Sequence, residues 1–100
     1  MNRKQDILNW ADEKGLLKEE NKFAQLAKLM EESGELAQAI LKNRKEAILD
    51  SCGDLWVVLV ILSGQLGLDI DECIEHAWNE IKDRKGKMVG GSFVKEADLI

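Results

Sequence analysis

Apolar positions in this chain recur mostly three and four residues apart, the spacing of helices that bury one face. Proline is absent and glycines mark the breaks. Ile7, Trp10 and Ala11 form a stripe on a first helix over residues 3–14, with Asn2 placed to cap it and Gly15 to end it in the left-handed conformation. After the linker LLKEEN, a second helix spans residues 21–42. Phe23, Leu26, Ala27, Met30, Gly34, Ala37 and Leu41 make its apolar stripe, widened by Leu29, Leu36 and Ile40. The polar sector that remains carries Lys28, Glu31, Glu32, Glu35 and Gln38.

A third helix covers residues 46–66, and from Leu55 to Leu62 it is apolar on every face, as in a central, buried helix. A buried strand has the same local pattern. The length of the segment and the lack of a pairing partner favour helix. In the fourth helix, Asp69 and Glu72 have the spacing of a capping pair, and Ile70, Ile74, Ala77, Trp78 and Ile81 mark a face to bury. Residues 88–100 read as a tail, with Gly90 and Gly91 as a hinge and Phe93 and Val94 as a docking point. There is no internal repeat and no sign of a second domain. The expected fold is all-α, a bundle of about four helices in one domain, 1–100.

Composition changes this picture little. A length of 100 residues allows one modest core, and 45% hydrophobic with 33% charged residues is ordinary for a globular chain. A net charge of −5 gives no global basic field, so no nucleic-acid partner is expected. Cys52 and Cys73 lack metal-ligand spacing and lie in apolar helical contexts, which predicts buried free thiols. The polar N-terminus has no signal-peptide core, and the longest apolar run, LWVVLVIL, is eight residues, against the roughly 20 of a membrane span. A cytoplasmic protein without a membrane partner is expected.

The carboxylates carry the candidate chemistry. Glu31, Glu32 and Glu35 fall within five residues of one helix, where like charges repel by roughly a few tenths of a kcal/mol per pair. Either water solvates them or a cation gathers them. Asp50 and Asp54 are one turn apart on a face that continues into Val57, Val58 and Ile61. At the helix start Asp50 favours the macrodipole. Asp54 abuts the all-apolar segment, where burying an unpaired carboxylate costs about several kcal/mol. Antiparallel packing through the basic turn KNRKE sets the two acidic pairs across an interface, as hard oxygen donors suited to Mg²⁺ or Mn²⁺. The basic residues after Ile81 suit a helix C-terminus as well as phosphate contacts. His76 has no partner in sequence and reads as structural or exposed. Of the three tryptophans, Trp10, near a helix end, is the candidate for stacking on a base.

These segments resemble a known family. KLMEESGELAQAI followed by DSCGDLWVVLVIL is similar to the MazG-like nucleoside triphosphate pyrophosphohydrolases of the all-α superfamily. Their pattern is E-E-x-x-E, a gap, then E-x-x-D. Glu31, Glu32 and Glu35 match the first half and Asp54 the final aspartate. The second-motif glutamate falls on Ser51, and Asp50 is the candidate replacement, in a D-x-x-G-D arrangement that phage-type members share. The resemblance implies that Glu32, Glu35 and Asp54, with Asp50, hold Mg²⁺, and that Glu31 orients or deprotonates water. It also sets Asn79, Lys82 and Arg84 against the triphosphate, and Lys28 and Trp10 complete the candidate substrate contacts. The implied reaction splits an NTP or dNTP between the α and β phosphates, in a homodimer or tetramer. Alternatives are a dUTP/dCTP or phosphoribosyl-ATP hydrolase, or an inert interaction module on the same scaffold.

Overall fold

The computed structural model describes residues 2–99. Four helices follow in order: α1 (Arg3–Glu13), α2 (Lys22–Leu41), α3 (Lys45–Gln65) and α4 (Ile70–Ile81). Two short strands, β1 (Gly86–Val89) and β2 (Ser92–Lys95), come after them. The all-α expectation holds for the architecture, and the helix ends fall within a residue or so of the expected ones. The chain separates into two compact units, Met1–Ile70 and Asp71–Ile100.

In the first unit, the Asn2 side chain accepts a hydrogen bond from the Gln5 backbone amide and caps α1. Gly15, at φ 75°, turns the chain after it. The connection back to α2 is tied down by side chains: Gln65 Nε2 donates to the Leu16 carbonyl at 2.7 Å, and Asn21 Nδ2 to that of Gly15 at 3.3 Å. Lys4 Nζ meets Asp69 Oδ1 at 3.0 Å, joining the start of α1 to the loop after α3. The core is small: Ala11, Ala39, Val58, Val60 and Ile61.

Two expectations about the helix faces are corrected. The stripe of Phe23, Leu26, Met30 and Leu41 is exposed, and α2 instead turns inward Gln25, Glu32 and Ala39, with Leu29 and Leu36 half-buried between them. This second row is also spaced four and three apart, so it forms one helix face. Likewise α3 is not buried all round. Val58, Val60 and Ile61 are inside, whereas Leu49, Trp56, Leu59 and Leu66 are exposed. Two neighbouring helices cover only part of a third. Length and composition make α3 long and apolar enough to cross a membrane, so an apolar run of eight residues does not by itself exclude a span; core helices of water-soluble folds meet the same criterion.

In the second unit α4 is amphipathic, but none of its residues is buried, contrary to the expected buried face. Trp78 is 53% exposed. The unit holds only this helix, a hairpin and one helical turn, too little to cover an apolar stripe. The tail is the hairpin: β1 and β2 pair antiparallel, Gly86 opposite Lys95 and Val89 opposite Ser92. Gly90 and Gly91, both at positive φ, make its two-residue turn. Both cysteines are free, but Cys52 is exposed and Cys73 half-buried, so neither is the buried thiol expected. His76 pairs with Glu80 on the surface of α4, Nε2 to Oε1 at 3.2 Å.

Candidate active site

The inward row of α2 explains the acidic site. Its rotation places Glu32 against α3, 7% exposed, while Glu31 and Glu35 on either side stay exposed. Glu32 Oε2 is buried without a hydrogen-bond partner, and the ammonium of Lys28, one turn earlier, comes only within 4.0 Å of Oε1. Burial pushes the Glu32 carboxyl above its ordinary value of 4.5, the charges of Glu35 and Asp54 and a shared hydrogen bond with Glu35 add to this, and Lys28 opposes it. Glu32 therefore feels the charge of Glu35 on its own helix and that of Asp54 across the α2–α3 interface.

Beside them opens a cleft of about 330 Å³. From α2 it is lined by Glu35, Gln38 and Ala39, and from α3 by Ala47, Asp50, Ser51 and Asp54. Lys42 and Arg44, from the connecting turn, complete it. Asp54 is exposed at this cleft and is not sunk into the core. The helix turns Val58 and Ile61 inward but leaves the position one turn before them open, so the carboxylate buried against apolar helix is Glu32. Asp50 is also exposed, and Ser51, beside it, is buried.

The remaining candidates are distributed more widely. Glu31 is an exposed residue of α2 outside the cleft lining. Lys28 is engaged with Glu32. Trp10 is half exposed on α1, as a stacking residue requires and a core residue does not. Asn79, Lys82 and Arg84 belong to the second unit, exposed at or just after the end of α4. Gln38, Lys42 and Arg44 line the cleft without having been candidates. The signal for the last two is the basic turn itself, KNRKE, which joins the two acidic helices.

The candidate donors have the chemistry of a hard cation's ligands, though not the geometry as they stand. All are carboxylate oxygens, one of them buried and unpartnered, and their mutual charge raises a pKa, which a cation reverses. No three acidic, thiol or imidazole side chains among the described residues enclose an ion-sized space. A cation there would need the exposed Glu35 and Asp54 to turn toward Glu32.

The description of one protein family, phosphoribosyl-ATP pyrophosphohydrolase, matches residues 9–84. An uncharacterized 18.2 kDa protein in the rep-hol intergenic region of Haemophilus phage HP1 (strain HP1c1) is 42% identical over 64 residues, which cover 64% of this chain and 39% of the phage protein. The chain thus matches about two fifths of the length of that relative. No solved structure matches.

Proposed function

This chain belongs to the phosphoribosyl-ATP pyrophosphohydrolase family, within the MazG-like all-α NTP pyrophosphatase superfamily, and we propose that it hydrolyses an NTP or dNTP to the nucleoside monophosphate and pyrophosphate. The observation that carries this reading is Glu32, a buried carboxylate with an unpartnered oxygen, grouped with Glu35 and Asp54 beside an open cleft. A buried carboxylate held only by a 4.0 Å contact to Lys28, with one oxygen unpartnered, opposes folding. A site awaiting a cation has a use for such a group.

Glu32, Glu35 and Asp54 would hold Mg²⁺, or Mn²⁺ in its place, with Asp50 standing in for the glutamate that Ser51 lacks. Bound there, the ion offsets phosphate charge and lowers the pKa of water. Water adds across the anhydride: its oxygen bonds to the α-phosphorus, the bond from that phosphorus to the bridging oxygen breaks, and pyrophosphate leaves. Glu31, one residue from the ligand Glu32 and open to solvent, takes the proton released by the water. Trp10 supplies an exposed ring for a base. Lys28 holds Glu32 in orientation until a cation replaces it.

A second reading, phosphoribosyl-ATP as substrate, is favoured by the family description that matches the chain. That substrate contains the same α,β anhydride, so the same carboxylates serve it, and the difference lies in what surrounds the base. The test is pyrophosphate release over a panel of NTPs, dNTPs and phosphoribosyl-ATP, with Mg²⁺ and with excess chelator. Metal-dependent release is expected from at least one of them. Release undiminished by chelator, or orthophosphate as first product, contradicts the proposal, and no turnover on any substrate leaves the inert scaffold.

A further inference from the structure

We infer that the three-residue turn between α2 and α3 is the subsite for the pyrophosphate end of the substrate, with Lys42 and Arg44 as its binding residues. This rests on the hydrolase reading above and adds an orientation to it.

The cleft has two poles. Along α2 away from the turn come Lys42, then Gln38, then Glu35, and beyond these Glu32. Along α3 come Arg44, then Asp50, then Asp54. Cations thus stand at the turn and carboxylates about two to three helical turns inward. The other ion pairs among the described residues engage Arg3, Lys4, Lys22, Lys28 and His76. Lys42 and Arg44 are in none of them, although Glu35 and Asp50 line the same cleft. Two unpaired cations beside unpaired carboxylates make an arrangement that an anion and a metal together complete.

The turn is also fixed in shape. The amides of Lys42, Asn43 and Arg44 donate to the carbonyls of Gln38, Ile40 and Ala39 at 3.0, 3.1 and 3.0 Å. Asn43 holds the reversal at φ 53°, a left-handed conformation that asparagine tolerates better than most residues. The backbone beneath both cations is therefore set before any ligand arrives, which limits the entropy lost on binding.

The chemistry assigns the ligand. A metal held by the carboxylates leaves most of a triphosphate's charge uncompensated, and that charge grows on the departing pyrophosphate as the α,β bond breaks. A guanidinium meets phosphate oxygens with two parallel hydrogen bonds, and an ammonium supplies a point charge. The β and γ phosphates then lie at the turn, the α phosphate at Glu32, Glu35 and Asp54, and the nucleoside farther from the turn. Lys42 and Arg44 select triphosphates over monophosphates by holding the leaving group.

Calorimetric titration of the full chain in Mg²⁺, with inorganic pyrophosphate and separately with AMP, tests this without knowledge of the true substrate. Lys42→Ala with Arg44→Ala should weaken pyrophosphate binding by roughly 10- to 100-fold, as expected for lost hydrogen bonds between charged groups. AMP binding should hold within about twofold, and Arg44→Lys should restore part of the loss. Lys14→Ala, a cation removed from the end of α1, should change neither. Circular dichroism melts establish that each variant is folded. Wild-type affinity for pyrophosphate in the double variant, equal losses for both ligands, or no pyrophosphate binding by the wild type would overturn the assignment. If the wild type releases pyrophosphate from a nucleotide while the double variant binds pyrophosphate normally, the subsite alone is wrong. If no nucleotide is turned over, the hydrolase reading itself has failed.

Discussion

Glu32 concentrates the conflict between folding and function in one side chain. Its carboxyl is raised above 4.5, chiefly by burial and then by the charges of Glu35 and Asp54. The native state therefore holds a proton in a window above 4.5 where the unfolded chain has lost it, so Glu32's own contribution to stability is greatest at the acid end and falls as pH rises through that window. Above it both states are ionised and the full cost is present. Glu32→Gln removes the charge and keeps the shape, so without metal its melting temperature should exceed that of the wild type at neutral pH. The difference should shrink toward pH 4.5, and thermal melts across that range check it. Divalent ions should stabilise the wild type by mass action and leave Glu32→Gln unmoved. Asp54→Asn should also abolish the metal-induced rise and lower turnover by about 100-fold or more. Its effect on the metal-free protein should be slight, since Asp54 is exposed and water screens its charge. The four acidic ligand candidates and their dependence on two helices were legible in the sequence. Which of them is buried was not, because that depends on a helix rotation of one position. Asp50 and Ser51 show the same limit: both line the cleft, Asp50 exposed and Ser51 buried, which the sequence does not tell. Asp50→Ala should weaken metal dependence far more than Ser51→Ala, and equal small effects would remove Asp50 from the site.

At the scale of elements, helix ends were readable because their chemistry is local. Asn2 caps through its own side chain, and Gly15 and Gly67 each take positive φ just past a helix. Faces were less readable. In α2 two rows share the same spacing, one rich in Phe, Leu and Met and one that mixes Leu and Ala with Gln25 and Glu32. The more apolar row looks like the core by hydropathy alone, yet the mixed row is the one against α3. The hairpin escaped because four-residue strands are short beside the helical pattern, although GG between KMV and SFV is a hairpin-turn signal. Gly86 shows how specific its packing is. A Cβ there would collide with the carbonyl oxygen of Val94 and stand 2.6 Å from the ring of Phe93. Gly86→Ala should abolish the β1–β2 pairing while the helices persist. Loss of amide-exchange protection in residues 92–95, with unchanged helical dichroism, is the expected record; retained protection would mean that the strands shift to admit the methyl.

For the whole molecule, the misread stripe of α2 becomes the strongest argument about assembly. Phe23 is 72% exposed and Met30 65%, and Phe23 and Leu26 share a groove with Leu62 and Leu66 of α3. Trp56 and Leu59 extend the exposed apolar surface of the first unit along α3. Large apolar side chains exposed around one groove mark an interaction site more often than a free face. We propose that a second copy covers it. Both helices of each copy then present self-complementary apolar ridges, as a two-fold interface requires, and the α3 helix acquires the cover that α1 and α2 cannot supply. Each Leu or Phe buried this way contributes roughly 1.5–3 kcal/mol, so a handful suffices for micromolar association once the entropy of assembly is met. Light scattering at micromolar concentration should give a mass of at least twice the 11.3 kDa chain. Leu26→Glu with Leu66→Glu sets charges into the shared groove and should weaken association by well over roughly tenfold, yielding monomers. Neither residue lines the acidic cleft, so the monomeric variant should still bind Mg²⁺ and pyrophosphate. A wild-type mass of one chain would refute the assembly, and a dimer unmoved by both substitutions would place it on another face.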